Sequence, residues 1–184
     1  MEASEYQKLA ARTLIMEPDT TFTNDELAIM LAALELGAKV GAILELLKKG
    51  ICHRHGYSQE QLKELLEHCE DACLTVKVRH LMKAPEYELS GNEQMLIWCA
   101  LGLGGEAGEV METISKLPDI AYHGNDLVKE LGDAAWYLAG LATLINVPLS
   151  EVFEQNIAKL RRRFPEGWGS EASKARADVA WIVE

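Results

Sequence analysis

The chain is short of basic residues, and this shortage limits its partners. Its 184 residues include 18 lysines and arginines against 29 aspartates and glutamates, which gives a formal net charge of −11 at pH 7. A surface of that sign repels the phosphate backbone of DNA and RNA. We therefore expect no nucleic-acid partner. We also expect that an anionic substrate would be bound through a metal cation or a local basic cluster.

Long apolar stretches are also scarce. No uninterrupted apolar run approaches the roughly 18 residues of a membrane-spanning helix. The polar opening, MEASEYQKLA, lacks the apolar stretch of a signal peptide. These features predict a cytoplasmic protein with no membrane partner. A hydrophobic content of 48% and a charged content of 26% are typical of a globular protein that buries a core.

Cysteine is infrequent, and its spacing does not favour a zinc site. Cys69 and Cys73 are four residues apart with His68 beside them, so a zinc site is conceivable. However, the paired C-x-x-C spacing of structural zinc sites is missing. Buried free thiols are the better interpretation in a reducing cytosol.

Strand signals are weak, and helical patterns cover most of the chain. Alternation with a period of two is not sustained, and Ala, Leu, Glu and Lys dominate. Asn24, Ser58 and Ser150 are the expected N-caps. We predict an all-α fold with a four-helix-bundle core and additional helices, forming one domain over 1–168 with a C-terminal tail over 169–184. The patterns place helices at about 3–16, 25–49, 58–82, 92–116, 125–146 and 149–163.

Two stretches resemble each other and suggest a degenerate internal repeat. Segment 33–43 resembles 100–110, and His55-Gly56 mirrors His123-Gly124. Each copy is expected to be a helical hairpin with His-Gly in its loop, and two hairpins would form the bundle. Chance similarity between amphipathic helices is the alternative. The copy within 20–90 lacks the acids of the copy within 91–168, since Glu106, Glu109 and Glu130 correspond to Lys39, Ala42 and His68.

Four carboxylates stand at helical spacing. Glu106 and Glu109 are three residues apart, as are Glu130 and Asp133, so each pair shares one side of a helix. Each pair also borders an apolar stripe, and packing of the two helices through their stripes would gather all four acids. The stripes are Ala107, Val110, Met111 and Ile114 on the first helix, and Leu131, Ala134, Leu138 and Leu141 on the second.

Gathered acids repel one another unless they are protonated or bound to cations. Carboxylate oxygens suit Mg²⁺, or Mn²⁺, better than zinc. The pattern therefore predicts a magnesium site for phosphate chemistry. Two solvated acidic helix faces are the alternative. A di-iron bundle would need Glu-x-x-His pairs, and neither acid pair offers one.

A basic helix follows the acids. Asn156, Lys159 and Arg163 fall on one side of 149–163. Lysine and arginine beside a metal site bind phosphate oxygens. On composition alone, a solvated basic helix end favoured by the helix dipole is nearly as good an interpretation.

Glu106-x-x-Glu109 followed by Glu130-x-x-Asp133 resembles the ExxE…ExxD signature of the MazG-like, all-α nucleoside triphosphate pyrophosphohydrolases, which are related to dimeric dUTPases. The similarity covers about 90–168 and the opening helix at about 3–16. It implies that Mg²⁺ binds the four acids and that these acids are catalytic. It implies hydrolysis of the α–β phosphoanhydride of a (deoxy)nucleoside triphosphate to monophosphate and pyrophosphate, as nucleotide-pool house-cleaning.

The resemblance also implies substrate contacts. Asn156, Lys159 and Arg163 would lie near phosphate, and Tyr137 would lie near the substrate. The protein would work as a homodimer or higher homo-oligomer. The insertion at about 20–90 departs from the short members of the family, and its Lys39 and His68, with Trp98, are candidates for the nucleobase pocket. A non-catalytic helical interaction or regulatory module with a vestigial metal site is the alternative function.

Overall fold

Seven α-helices and two short helical turns account for the regular structure in the part of the chain that the computed structural model describes, residues 1–14, 22–53, 55–115 and 120–175. No strand occurs among these residues, so the predicted all-α class is confirmed. The elements are α1 (Ala3–Ala10) with a 3₁₀ turn (Ala11–Thr13), α2 (Asn24–Leu47) with a π-helical turn (Lys48–Cys52), α3 (Gln59–Leu81), α4 (Gly91–Ser115), α5 (Ile120–Leu144), α6 (Leu149–Arg163) and α7 (Ser170–Ala175).

Side-chain caps fix the starts of α2 and α3. Ser58 caps α3 as predicted, in a reciprocal pair of hydrogen bonds with Gln61. The cap of α2 is Thr23 rather than Asn24. Thr23 Oγ1 accepts from the backbone N–H of Glu26 at 3.3 Å, and the Glu26 carboxylate accepts from Thr23 N at 2.7 Å. The prediction for Asn24 is wrong because this residue is already helical.

The start of α6 is fixed from a distance. Pro148, rather than the predicted Ser150, is its N-cap and has no side-chain cap bond. Gln7 of α1 takes over that function. Its Nε2 donates to Val147 O at 2.9 Å, and its Oε1 accepts from Leu149 N at 2.7 Å. This one side chain therefore ties α1 to the α5–α6 connection.

The four long helices form two hairpins, α2–α3 and α4–α5, which meet through α2 and α4. Phe22 N donates to Gln94 Oε1 at 2.9 Å, so the two helices start side by side. An apolar cleft of about 600 Å³ lies between them and is lined by residues 33–44 and 100–111. The four-helix core with additional helices is thus confirmed. The two similar segments face each other across this cleft, and their origin in a repeat stays a hypothesis.

The loops of the two hairpins differ. Gly56, at φ 74°, lies in the loop before α3, as expected for the first copy. Gly124 instead lies within α5. The prediction that His123-Gly124 forms a loop is therefore wrong. Any structural similarity between the two predicted repeat copies is therefore limited to their helices and does not extend to the connections.

The apolar stripes of α4 and α5 do not pack against each other as predicted. Met111, Ile114 and Leu131 are 44%, 42% and 53% exposed. The helices instead approach through small residues, since a Cβ at Gly140 would lie 3.4 Å from Cys99 Sγ. Such close approach is possible because glycine has no Cβ.

The segment Asn24–Ile51, which is α2 with most of its π-helical turn, is long and apolar enough to cross a membrane. Its most apolar 18-residue window has a mean hydropathy of 1.9, and 17% of that window is buried. A second span by this measure would require α5 and α6, which are bent by 102°, to act together. The apolar runs of α2 are short because single polar residues interrupt them, yet these residues leave the average hydropathy of the helix high. Core helices of globular proteins have the same composition, so this feature alone assigns no environment.

Candidate metal centre and active site

Three of the four predicted acids converge where α4 packs on α5. One carboxylate oxygen from each of Glu106, Glu109 and Glu130 lies within 4.8 Å of the other two. The helical period places the first two on one side of α4, and antiparallel packing brings α5 alongside. Among the described side chains, this is the group whose geometry could hold a metal ion.

The electrostatics of the group are those of crowded anions. Partial burial raises the pKa of Glu106, with smaller contributions from the negative charges of Glu109 and Asp133. Partial burial also raises the pKa of Glu130, followed by the charges of Glu109 and Glu106, hydrogen bonding to Glu109 and the charge of Asp133. Asp133 is exposed yet close enough to act on both glutamates. The four acids therefore belong to one electrostatic cluster, and we refer to them as the acid cluster.

The donor set of the acid cluster fits a hard divalent cation. Its ligands are carboxylate oxygens from two rigid helices, and no thiol or imidazole takes part among the described residues. Within the described part of the chain, no cation appears among the charges that shift the pKa of Glu106 or Glu130. A bound Mg²⁺ would relieve this repulsion, since a cation favours the ionised form of each carboxyl.

Tyr137, predicted to lie near the substrate, borders the acid cluster one turn after Asp133. Burial raises the pKa of its phenol, followed by the charge of Glu106. Its ring lies against the backbone of Gly102, where an added Cβ would overlap the ring. Only glycine leaves room for the ring at that position.

Two tryptophans complete an aromatic wall beside the acid cluster. The ring of Trp98 lies 5.6 Å from that of Tyr137, and the ring of Trp136 lies 4.9 Å from it, both edge to face. Trp136 Nε1 donates to Thr13 Oγ1 at 2.8 Å. The opening segment of the chain therefore fixes one side of this wall. Trp98, a candidate for the nucleobase pocket, lies in it, whereas nothing in the sequence indicated Trp136.

Tyr6 of α1 also reaches the acid cluster, and sequence reasoning missed it. Its hydroxyl donates to Gly132 O at 3.3 Å. Burial raises the pKa of its phenol, with a contribution from the charge of Asp133. The signal available was its place in the opening helix EYQKLAART, but helix periodicity cannot show which neighbour a helix packs against.

The predicted phosphate contacts are not assembled around the acids within the described chain. Asn156 and Lys159 are exposed on α6. Arg163 Nη2 donates to the backbone oxygen of Ser173 at 2.9 Å, which places its guanidinium against α7. The roles of these three residues at phosphate stay predictions.

The cysteines separate into a buried and a more accessible set. Cys99 is fully buried, and burial raises the pKa of its thiol to about 11. Cys69 is partly buried and Cys73 exposed, and both are free thiols. These two thiols do not join a metal-binding group among the described side chains. The prediction of buried thiols is therefore confirmed for Cys99 and wrong for Cys73, which lies on the exposed side of α3.

Comparison with known proteins singles out the segment that carries the acid cluster. Residues 97–168 match the model of the MazG nucleotide pyrophosphohydrolase domain. The Gene 37 protein of Mycobacterium phage L5 is 38% identical over 78 residues, which cover 39% of this chain and 68% of that protein. No solved structure matches the chain. The matched segment contains all four acids, Tyr137 and the basic side of α6.

Proposed function

The chain belongs to the MazG nucleotide pyrophosphohydrolase family, and from this membership we propose that it hydrolyses (deoxy)nucleoside triphosphates between the α and β phosphates. The products would be a nucleoside monophosphate and pyrophosphate. The observation that carries the proposal is the convergence of Glu106, Glu109 and Glu130 within 4.8 Å, with Asp133 in the same electrostatic cluster. Nucleotide-pool house-cleaning in the cytoplasm is the role that suits this chemistry.

The acid cluster would hold Mg²⁺, with Mn²⁺ as a substitute, through these four carboxylates. When bound, the metal supplies charge neutralisation at the phosphates and polarises water. The protein's own contribution is to hold the acids on two helices, so that little reorganisation precedes the reaction. A carboxylate not engaged with metal accepts the proton of the attacking water. The α–β bond breaks as the new bond to the α phosphorus forms, and pyrophosphate leaves.

Tyr137 and the tryptophans beside it would bind the nucleoside. Their rings present apolar faces and edges next to the metal site, where a nucleobase or sugar can stack. Trp98 and Trp136 are each only partly buried, so ring surface remains available. Base and sugar preference would depend on this wall.

A homo-oligomer would complete the site. Support comes from the exposed apolar side chains beside the acids, such as Met111, Ile114 and Leu131. Among the described residues, no cation contributes to the pKa of Glu106. A second copy could cover these side chains and bring Lys159 or Arg163 to the phosphates. Light scattering after size-exclusion chromatography should give at least twice the monomer mass, and Met111→Glu should reduce it. Flotation with lipid vesicles is the second measurement. A protein that is monomeric and floats with the vesicles would indicate that α2 inserts into a membrane rather than supporting a homo-oligomer.

Nucleotide turnover tests the proposal directly. The protein with Mg²⁺ is incubated with a panel of dNTPs, including dUTP and modified bases, and the products are separated by chromatography. Monophosphate and pyrophosphate are expected, and in ¹⁸O-labelled water the label should appear in the monophosphate. Release of orthophosphate and a diphosphate would place the cleavage at another bond and refute the assignment.

Matched variants locate the chemistry. Glu130→Gln should reduce turnover at least about 100-fold if its charge acts in the transition state, while Glu112→Gln on α4, a glutamate outside the acid cluster, serves as the control. Circular dichroism checks that both variants keep their helices. Calorimetry with Mg²⁺ and a nonhydrolysable dNTP addresses the alternative of a non-catalytic helical module, because a module with a vestigial site would bind neither.

A further inference from the structure

A second polar cleft lies outside the segment that matches the family. It has a volume of about 230 Å³ and is lined by Lys49, His55, Ser173 and Lys174. Lys49 comes from the turn that ends α2, and His55 from the loop before α3. Ser173 and Lys174 come from α7. At roughly 30 Å³ per water molecule, this space corresponds to about eight waters, enough for a phosphate or pyrophosphate group.

The cleft is electropositive although the chain as a whole is acidic. The pKa of His55 is lowered by burial first and then by the positive charges of His53, Lys174, Lys49 and Arg163. Those cations come from the α2 turn and its following loop, the end of α6, and α7. Charges from separate elements therefore converge on one imidazole, as expected of an anion site.

Two carboxylates pair with the lysines of the cleft. Lys49 Nζ lies 2.9 Å from Glu45 Oε1, and Lys174 Nζ lies 3.0 Å from Glu171 Oε1. Glu45 is shared with Lys48, so a single carboxylate serves two lysines. Both carboxylates lie one helical turn from their partners, and neither is among the residues that line the cleft. An anion in the cleft would meet the two ammonium groups without displacing an acid.

Two of the residues that line the cleft, Ser173 and His55, have buried polar groups. Ser173 is fully buried, and its Oγ lies 3.2 Å from His53 Nδ1. Arg163 Nη2 donates to Ser173 O and so helps to fix the position of this residue. His55 Nε2 is buried and has no hydrogen-bond partner among the described residues. A buried imidazole nitrogen normally has a partner, so a ligand that accepts from Nε2–H would satisfy it.

We propose that Lys49, His55, Ser173 and Lys174 form an oxyanion site that binds a phosphate group. Two ammonium groups and an imidazole N–H would donate to different oxygens of the tetrahedral anion, and these charge-assisted bonds are the strong kind. The site is separate from the acid cluster, and it does not depend on the proposed hydrolysis. The phosphate group could belong to orthophosphate, to pyrophosphate or to a nucleotide, and the experiment distinguishes these sources.

The test is a binding measurement on the full chain without divalent metal, so that the acid cluster recruits no phosphate. Orthophosphate, pyrophosphate and a nucleoside monophosphate are titrated separately by calorimetry at constant ionic strength. The His55 ring signals are followed by NMR in the same titrations. We expect saturable binding of at least one anion and a rise in the pKa of His55 upon binding, because a nearby dianion stabilises the imidazolium. The anion that binds most tightly identifies the source.

Variants distinguish anion binding in the cleft from a general attraction of anions to surface lysines. Lys49→Gln combined with Lys174→Gln should weaken binding about tenfold or more, the scale of a lost charge-assisted hydrogen bond. Lys48→Gln is the matched control, because Lys48 neighbours Lys49 in sequence and shares its carboxylate but does not line the cleft. Thermal melts confirm that all variants are folded. Absence of saturable binding by all three anions, or equal weakening by Lys48→Gln, would overturn the proposal.

Discussion

Replacing Gly102 by alanine tests how α4 and α5 pack beside the acid cluster. A Cβ at this position would overlap the ring of Tyr137. The ring cannot simply swing aside, since Trp98 and Trp136 lie against it at 5.6 and 4.9 Å between ring centroids. The substitution must therefore displace the aromatic wall or separate the two helices.

Two effects of known size oppose each other in this variant. Overpacking a tight contact costs about 1–3 kcal/mol. Alanine is favoured over glycine inside a helix by about 1 kcal/mol. Gly102→Ala should therefore lower the free energy of unfolding by up to about 2 kcal/mol. Gly104→Ala is the matched control, because a Cβ there meets nothing within 4 Å. It should gain about 1 kcal/mol from helix propensity alone.

Urea denaturation followed by far-ultraviolet circular dichroism measures the stability of both variants against the unmodified chain. The two should differ by about 1–3 kcal/mol, which for a chain of this size corresponds to roughly 2–4 °C in Tm per kcal/mol. Equal stabilisation by both substitutions would refute the close packing of Tyr137 on Gly102. A change in the denaturant slope would indicate loss of two-state unfolding, so the free energies are compared only at matched slopes.

Three further outcomes follow from the structure. Without metal, Glu130→Gln should be more stable than the unmodified chain at about pH 7, because the raised pKa of Glu130 means that its ionised form destabilises the native state. Protonation removes that penalty, so urea titrations should show the advantage of the variant shrinking towards about pH 5. A disulfide reagent should modify exposed Cys73 rapidly but Cys99, whose pKa is raised to about 11, only upon unfolding; rapid loss of both thiols would contradict the burial. Gln7→Ala should cost about 1–3 kcal/mol of unfolding free energy, through unsatisfied groups in the α5–α6 connection, and an unchanged denaturation midpoint would contradict this.

Much of the local structure was predictable from the sequence because it depends on short-range physics. The helix period placed Glu106 with Glu109. It also gave boundaries close to those observed for α2, α3, α4 and α6, whereas α5 begins earlier than predicted, at Ile120. Ser58 was recognised as a cap because capping involves residues only three apart. The cap of α2 was misplaced by one residue, since Thr23 and Asn24 both have capping side chains and only the backbone conformation separates them.

The packing of helices was less predictable, because it depends on which faces approach each other. The apolar stripes on α4 and α5 suggested that Met111 and Leu131 would be buried, yet both are exposed in a single chain. Glycines decided the contact instead, through Tyr137 against Gly102. A hydrophobic period records that a face is covered, but it cannot tell whether the same chain or a second copy covers it.

The sequence by itself determined the all-α class, the four acids in two helical pairs and the kind of metal that their oxygens suit. Tertiary structure decided that Glu130 meets the pair on α4, and that Tyr6 reaches Asp133. It also placed Arg163 against Ser173, beside a basic cleft that no motif indicated. The physical reason is the separation along the chain of the residues that each interaction joins. Helical spacing is set by hydrogen bonds over four residues, whereas these contacts join residues far apart in the chain and form only when the helices pack.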